Sequence, residues 1–454
     1  MTAANILGSM NKDGSRHIIH PADVKGRWTT ARRIAFGVLI AIYVAGPLIP
    51  VGGHPMIQLD VEHRRFFLFG STFNSQDFWM VLLLALSFAF GLLLVTAWRG
   101  RVWCGWACPQ TVFLEGLYRP IERFFDGPRE RRIRLASEPM SVGKFARRLG
   151  KYSVFFVISA AIAHTATALF VSPKELFAMI TEGPRLHLEA FGLTSGFTAI
   201  LMFNFTWFRE QFCVVLCPYG RLQSVLHDKS SITIAYREAR GEPRGKLGQA
   251  AGACIDCNRC VAVCPTGIDI RNGLQMECIA CTQCIDACDE MMDKVKRPRG
   301  LIDFASQHEL KGEPRKTLRP RLLVYAGLML VALTTLGVSL GTRTPFEANI
   351  FRPRGAMPFV VDGDEVRNPF EVHVFNKNPG RAAFTLEVVG APSEAKVIVG
   401  TPRVELESLT DAHVPVSISI PRKVLAGPQV ELQLKVTDET NGVTKVLPVR
   451  FLGR

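Results

Sequence analysis

Cysteine is absent from the last 166 residues of the chain; all 12 cysteines lie between Cys104 and Cys288. A disulfide-stapled C-terminal domain is thereby excluded. Charge is absent from five stretches of 18 to 21 residues: Ile34–Val51, Phe78–Trp98, Tyr152–Val171, Phe191–Phe208 and Leu322–Leu340. Uncharged runs of that length are rare in soluble cores and match a bilayer's thickness, so five transmembrane helices are expected. Positive charge is scarce in the loops 54–77 and 172–192, which carry 2 Lys or Arg each. Residues 1–33, 99–151 and 218–320 carry 6, 12 and 16. By the positive-inside rule, that alternation predicts an N-in, C-out topology. The first 33 residues lack a secretory signal, and the apolar run after them is long enough to remain as an anchor. A bacterial inner membrane is the expected setting.

A net charge of +14 suggests nucleic acid at first sight. No stacking or groove-reading motif accompanies it, so nucleic acid is not expected as a partner. The charge reports membrane orientation, with membrane lipid against its basic faces. Every cysteine then falls on or beside the cytoplasmic side, where structural disulfides are disfavoured and metal or redox chemistry is the natural use of a thiol.

These features divide the chain into a cytoplasmic segment 1–33, four spans within 34–217 around a basic cytoplasmic loop 99–151, a cytoplasmic domain 218–320, a fifth span 321–341 and a tail 342–454. Within the first loop, "GPRERRIRL" predicts a solvated, lipid-facing surface. The tail holds short alternating segments, among them "FEVHVFN", "AAFTLEVV", "VPVSISI" and "VELQLKV", separated by Gly, Pro, Asn and Asp. Six or seven such strands predict an all-β immunoglobulin-like sandwich held by its core alone. It shows no catalytic constellation, and His373 and His413 are expected as surface or strand residues.

Residues 254–265 read "CIDCNRCVAVCP" and 278–289 read "CIACTQCIDACD". Each has three cysteines spaced by two residues and a fourth after three more. A tight loop turns the first three sulfurs toward one centre, and the fourth points to a second. Cys254, Cys257, Cys260 and Cys288 are therefore expected to hold one [4Fe–4S] cluster, and Cys278, Cys281, Cys284 and Cys264 the other. Zinc would want paired Cys-x-x-Cys elements, which this compact spacing fits poorly.

The remaining cysteines form two Cys-x-x-x-Cys-Pro motifs, each at the end of a span. If the second span's helix continues past Trp98, Cys104 and Cys108 lie one turn apart on one face, and Pro109 and Pro218 mark where helix can no longer continue. Were the second and fourth spans neighbours, Cys104, Cys108, Cys213 and Cys217 would form one four-thiol site. Soft thiolates favour Cu(I), with zinc or another iron–sulfur centre as competitors. A reversible dithiol–disulfide and inert packing are the other readings. His164, inside the third span, is either a packing histidine or a ligand. Arg209 and Glu210 either pair with each other or line the thiol site.

The segments "GRVWCGWACPQTVFLE" and "REQFCVVLCPYGRLQ", the ferredoxin pair, and the final span with its β-rich tail together resemble the cytochrome c oxidase accessory protein family of the FixG/CcoG type. Membrane polyferredoxins of nitrate and nitrous-oxide respiration share the cysteine–proline motifs but not this tail. The resemblance implies two [4Fe–4S] clusters and a redox role in assembling a haem–copper oxidase. Cu(II) would be reduced to Cu(I) at Cys104, Cys108, Cys213 and Cys217. Its partners would be copper-delivery and oxidase-assembly proteins and an electron donor of unspecified class, with a homodimer left open. Two other readings stand beside it: a conduit from quinol to another reductase, and a non-catalytic assembly scaffold.

Overall fold

The computed structural model describes residues 18–453, apart from 63, 75, 76, 247, 249–251, 379 and 426. The chain divides at Gly337 into two compact units. In the first, four helices are long and apolar enough to cross a membrane: Arg27–Leu48, Phe78–Arg99, Val142–Ala168 and Leu188–Phe208; a fifth, Pro320–Gly341, leads into the second unit. Their outer faces expose large apolar side chains such as Leu82, Val157, Ile200 and Val331. In lipid, exposure of this kind is the favourable arrangement, because every backbone polar group is already bonded within its helix.

The third and fourth spans are joined by small hydroxyls, with Thr167 Oγ1 2.9 Å from Thr194 Oγ1. Tyr118, from the loop after the second span, is buried against Phe155 and Phe205 and bonds Ser159 Oγ at 2.7 Å. That loop folds back as the short helices Val102–Trp106, Pro109–Phe113, Arg119–Asp126 and Arg129–Ser137. Of "GPRERRIRL" most is exposed, but Arg132 is buried, so the expectation of a wholly solvated surface is corrected. Its guanidinium donates to the carbonyl of Pro21 at 2.7 Å and lies 3.7 Å from Glu122.

The second span does not continue through the first cysteine motif, as the sequence led us to expect. Its helix stops at Arg99, and Gly100 turns the chain with φ 61°. Cys104 lies in Val102–Trp106, whereas Cys108 has an extended backbone and precedes Pro109. Pro109 and Pro218 each open the next helix rather than close the previous one. First-turn proline is the physical reason: its missing N–H has no helical partner there, and its fixed φ suits the start.

Between the fourth and fifth spans lies a lobe around one antiparallel strand pair, Thr233–Tyr236 with Ile302–Ala305, and the helix Gln283–Lys294. Its core holds Ile234, Ile285, Met292, Leu301 and Ile302. Asp286, on that helix, accepts from the backbone N–H groups of Trp28 at 3.3 Å and Thr29 at 2.7 Å, and from Thr29 Oγ1 at 2.7 Å. It thereby satisfies the N–H groups that open the first span's helix.

The second unit is a two-sheet sandwich. One sheet orders Lys396–Val399, Asp411–Pro421, Glu365–Asn376 and Phe346–Phe351, with Val360–Asp362 also on Glu365–Asn376. The other orders Arg403–Leu406, Ala382–Val389, Gln429–Asp438 and Thr444–Leu452. Strict alternation along Glu365–Asn376 sends Val366, Phe370, Val372 and Val374 inward against Phe384, Leu434 and Phe451. The immunoglobulin-like sandwich expected from the sequence is present, and its core contains no cysteine.

Candidate iron–sulfur and thiol sites

The two cluster loops share one backbone device. In the first, Asp256 and Asn258 flank Cys257 with φ 51° and 54°; in the second, Ala280 and Thr282 flank Cys281 with φ 52° and 66°. Two left-handed residues around the middle cysteine reverse the chain twice, which buries Cys254 and Cys260 in the first loop and Cys281 and Cys284 in the second, while Cys257 stays exposed. Arg271 fixes the first loop, reaching Asp256 and Asn258 at 2.5 Å each and Asp269 at 2.7 Å.

The thiols of the two loops crowd one another, and Cys260 acts on both Cys284 and Cys288. Burial pushes the Cys288 thiol up to about 12, reinforced by Cys260, Asp289, Cys257 and Cys254. Cys278, Cys281 and Cys284 are likewise raised, first by burial and then by a neighbour set that includes Cys264. Backbone amides oppose the rise: Ala280 N–H donates toward Cys278, and Gln283 N–H toward Cys281. A small cavity bounded by Cys260, Cys264, Cys278, Cys281 and Cys284 lies among isoleucines. Desolvated thiolates gathered in this way need a cationic centre, so the donor set fits iron–sulfur clusters.

The other four thiols also come together, although by a route the sequence did not suggest. Cys213 is pushed up to about 12 by burial, then by Cys108, Cys104 and Cys217. Burial raises Cys104 and Cys108 as well, opposed at Cys104 by the Arg101 charge and at Cys108 by the Gln110 amide. Gln110 Nε2 donates to the Arg209 carbonyl at 2.9 Å, and its amide pairs reciprocally with Asn204. Gln223 Nε2 lies 3.5 Å from Cys104 Sγ, and Tyr219 Oη 2.6 Å from Thr96 Oγ1. These bonds run between the ends of the second and fourth spans. Among the described residues, no three of these thiols lie within 4.8 Å of one another.

The four-thiol region adjoins the second cluster loop. Cys104 packs with Ile279, Cys281 and Tyr219. Trp106 Nε1 donates to the Ala280 carbonyl at 3.3 Å, and Arg101 donates to the Met276 carbonyl. A side chain at Gly105 would put Cβ 2.4 Å from the Ile279 carbonyl oxygen, so only glycine permits this approach.

Beneath both regions lies a buried ionic network. Arg209 bonds both oxygens of Glu122, at 2.8 and 3.2 Å, and its Nε is 4.0 Å from Glu210. Glu122 is therefore the main partner of Arg209. Arg119 pairs with Glu115, lies 3.6 Å from Glu210 and donates to the Pro265 carbonyl beside Cys264. Burial alone would raise the Glu122 carboxyl; Arg209, then Lys151 and Arg132, instead hold it at about 2. Sequence reasoning missed Arg101, Gln110, Asn204, Gln223 and Glu122. The available signal was Glu115, Arg119 and Glu122 at helical spacing, a charged stripe within the basic loop 99–151.

His164 stands apart from the thiols. The Ala160 carbonyl can only accept, so His164 Nδ1 carries the proton of their 2.7 Å bond. It lines an apolar cavity of about 640 Å³ with His187, Met179 and Met202.

Comparison with known proteins assigns these parts. Residues 208–307 match a "4Fe-4S dicluster domain", 81–128 a "4Fe-4S binding domain", and 336–454 an "IG-like fold at C-terminal of FixG". The first match contains Cys213, Cys217 and all eight cluster cysteines; the second contains Cys104 and Cys108. Nitrogen fixation protein FixG of Rhizobium meliloti is 33% identical over 450 residues, covering 88% of this chain and 84% of its own. Proteins RdxA and RdxB of Cereibacter sphaeroides are 36% and 34% identical, with coverage of 84% and 85% on both sides. The chain belongs to the FixG family and is an iron–sulfur electron-transfer protein.

Proposed function

We propose that this protein delivers single electrons to Cu(II) at Cys104, Cys108, Cys213 and Cys217, releasing Cu(I) for the assembly of a haem–copper cytochrome c oxidase. The observation that carries this reading is the approach of the first cysteine motif to the second cluster loop, with Cys104 against Cys281 and Gly105 against Ile279. Cys254, Cys257, Cys260 and Cys288 would hold one [4Fe–4S] cluster, and Cys278, Cys281, Cys284 and Cys264 the other. When bound, these clusters supply one-electron storage and transfer. Arg101 sets positive charge beside Cys104, which favours its thiolate. Gln223 orients the Cys104 sulfur, and Gln110 ties the two motifs together. Cu(II) would gain one electron from the reduced protein, soft thiolates would hold the Cu(I) until it is handed on, and an external one-electron donor would restore the protein.

The distribution of Lys and Arg supports placing the N-terminus and cluster lobe in the cytoplasm and the sandwich in the periplasm of a bacterial inner membrane. Copper-delivery and oxidase-assembly proteins would be its partners. Reporter fusions at Gly363 test the orientation; cytoplasmic activity there would reverse it.

A second reading rests on the 4Fe-4S match over 81–128 and on the spread of the four thiols. A cubane holds its thiolates farther apart than a single ion does, so a third iron–sulfur centre could occupy them instead. One experiment separates the two. The full chain and a variant with serine at all four positions are analysed for iron and copper, then mixed anaerobically with Cu(II). Copper reduction should be lost in the variant while iron stays near about eight atoms per chain. About twelve irons in the parent, falling by about four in the variant, would favour the third centre. Unchanged Cu(II) reduction would sink the copper role.

A further inference from the structure

The cysteine-free sandwich carries a cluster of donors unlike those of the thiol sites. His373 and His413 stand directly opposite each other on the paired strands Glu365–Asn376 and Asp411–Pro421. Asp411 is two residues before His413, and so shares its face; Glu371 is two residues before His373. The intervening Val372, Val374 and Val414 are buried, so these four polar side chains project from the sheet's outer surface. One ligand atom from each of His373, Asp411 and His413 lies within 4.8 Å of the others. Asp411 Oδ2 is 2.9 Å from His373 Nε2 and 3.6 Å from His413 Nε2. Donors around one tetrahedral ion, bonded at roughly 2.0–2.1 Å, stand about 3.3 Å apart. Two of the three edges already bracket that value.

The surroundings fit a metal site rather than a chance surface pair. Glu371 Oε1 lies 3.0 Å from His413 Nδ1, which leaves Nε2 facing Asp411 and His373. A carboxylate on the far nitrogen is how metal-binding histidines are fixed in tautomer and orientation. At the site His373 is paired on both sides, with His413 and with Asn349, so its backbone is braced, whereas Lys396–Val399 joins the Asp411–Pro421 strand only at Val416–Ser419. His373 is half-buried and its partners are exposed, leaving the remaining coordination positions to water or an incoming ligand.

We propose that His373, Asp411 and His413 bind one divalent first-row transition ion, Cu(II) in preference to Zn(II). Two imidazoles and a carboxylate suit both ions, and Cu(II) is the tighter binder of the two on such a set. The donors differ from soft thiolates in favouring the oxidised metal. The proposal stands whether or not the thiols reduce copper.

The test uses the full chain carrying serine at Cys104, Cys108, Cys213 and Cys217, titrated with Cu(II) and read by electron paramagnetic resonance. One copper with nitrogen couplings from two imidazoles should bind. Adding His373→Ala and His413→Ala should abolish that signal. Glu371→Gln should weaken binding about tenfold while keeping the nitrogen pattern. On the unaltered chain, Zn(II) calorimetry should lose one binding step in the double-alanine variant, which keeps the test independent of the serine background. Equal Cu(II) signals and equal Zn(II) steps with and without the two histidines would overturn the site. Failure of the thiol reading would instead show as unchanged Cu(II) reduction in the four-serine chain.

Discussion

After the second span the chain turns at Gly100, with φ 61° and ψ −138°; after the fourth it turns at Arg209, with φ 50° and ψ −121°. From there both segments follow the same course. A single helical turn carries the first cysteine, the second cysteine is extended, and proline opens the next helix. The means differ. Glycine takes such a turn at no steric cost, whereas an arginine held there costs about 1–3 kcal/mol. The paired hydrogen bonds of Arg209 to Glu122 offset that cost. Surroundings differ as well. The first segment is pressed into the cluster loop at Gly105, while Val215 and Leu216 of the second are 43% and 60% exposed. One half of the thiol region is thus fixed by contact and the other held by charge, with its outer edge open.

Breaking the charged half should have the largest effect. Glu122→Ala strands the buried Arg209 and Arg132, and should cost about 3–5 kcal/mol in thermal unfolding of the solubilised chain. The corresponding pH dependence has a definite sign. Glu122 is depressed from 4.5 to about 2, so its contribution is complete above pH about 4.5 and is lost as pH falls toward 2. An acid unfolding midpoint unchanged by Glu122→Gln would contradict this. Next comes the contact half. Gly105→Ala drives Cβ into the Ile279 carbonyl and should cost about 1–3 kcal/mol, with loss of visible absorbance from the second cluster loop's cofactor.

The turns themselves sharpen the comparison with smaller effects. Gly100→Ala should destabilise by about 1 kcal/mol or more, because alanine disfavours that backbone and its Cβ would meet the Ile232 carbonyl at 3.2 Å. Arg209→Gly should relieve strain yet destabilise, since it removes the Glu122 pair; a gain in melting temperature would show that strain dominates. Gln110→Ala is the mildest, about 1 kcal/mol from the lost bond to Arg209. Its check is a small drop in melting temperature with both cluster spectra retained.

The sequence made the spans, the sandwich and the two ferredoxin triplets legible because each rests on a strong local period. Uncharged length reports a bilayer, alternation reports a half-buried strand, and three cysteines two residues apart report a common centre. The grouping of the four remaining thiols was also reachable from their repetition. Their local geometry was not, because a helix was extended across Gly100, and Arg209 gave no hint of a left-handed turn. The ionic network escaped for another reason. Glu122, Arg132 and Arg209 are 10 to 87 residues apart in sequence, and only the fold shows that each meets its counter-charge away from water.

Asp286 sits between Cys284 and Cys288 on a single helix and grips the opening turn of the first span. In the expected crossed ligation those cysteines serve different clusters, so both clusters would steady the helix that makes this grip. Anchor and redox lobe should then mature together. A chain starved of iron would loosen where residues 20–26 lie along the lobe, offering a quality-control protease its first cut there. Partial digestion at that segment would then act as a gauge of cofactor loading.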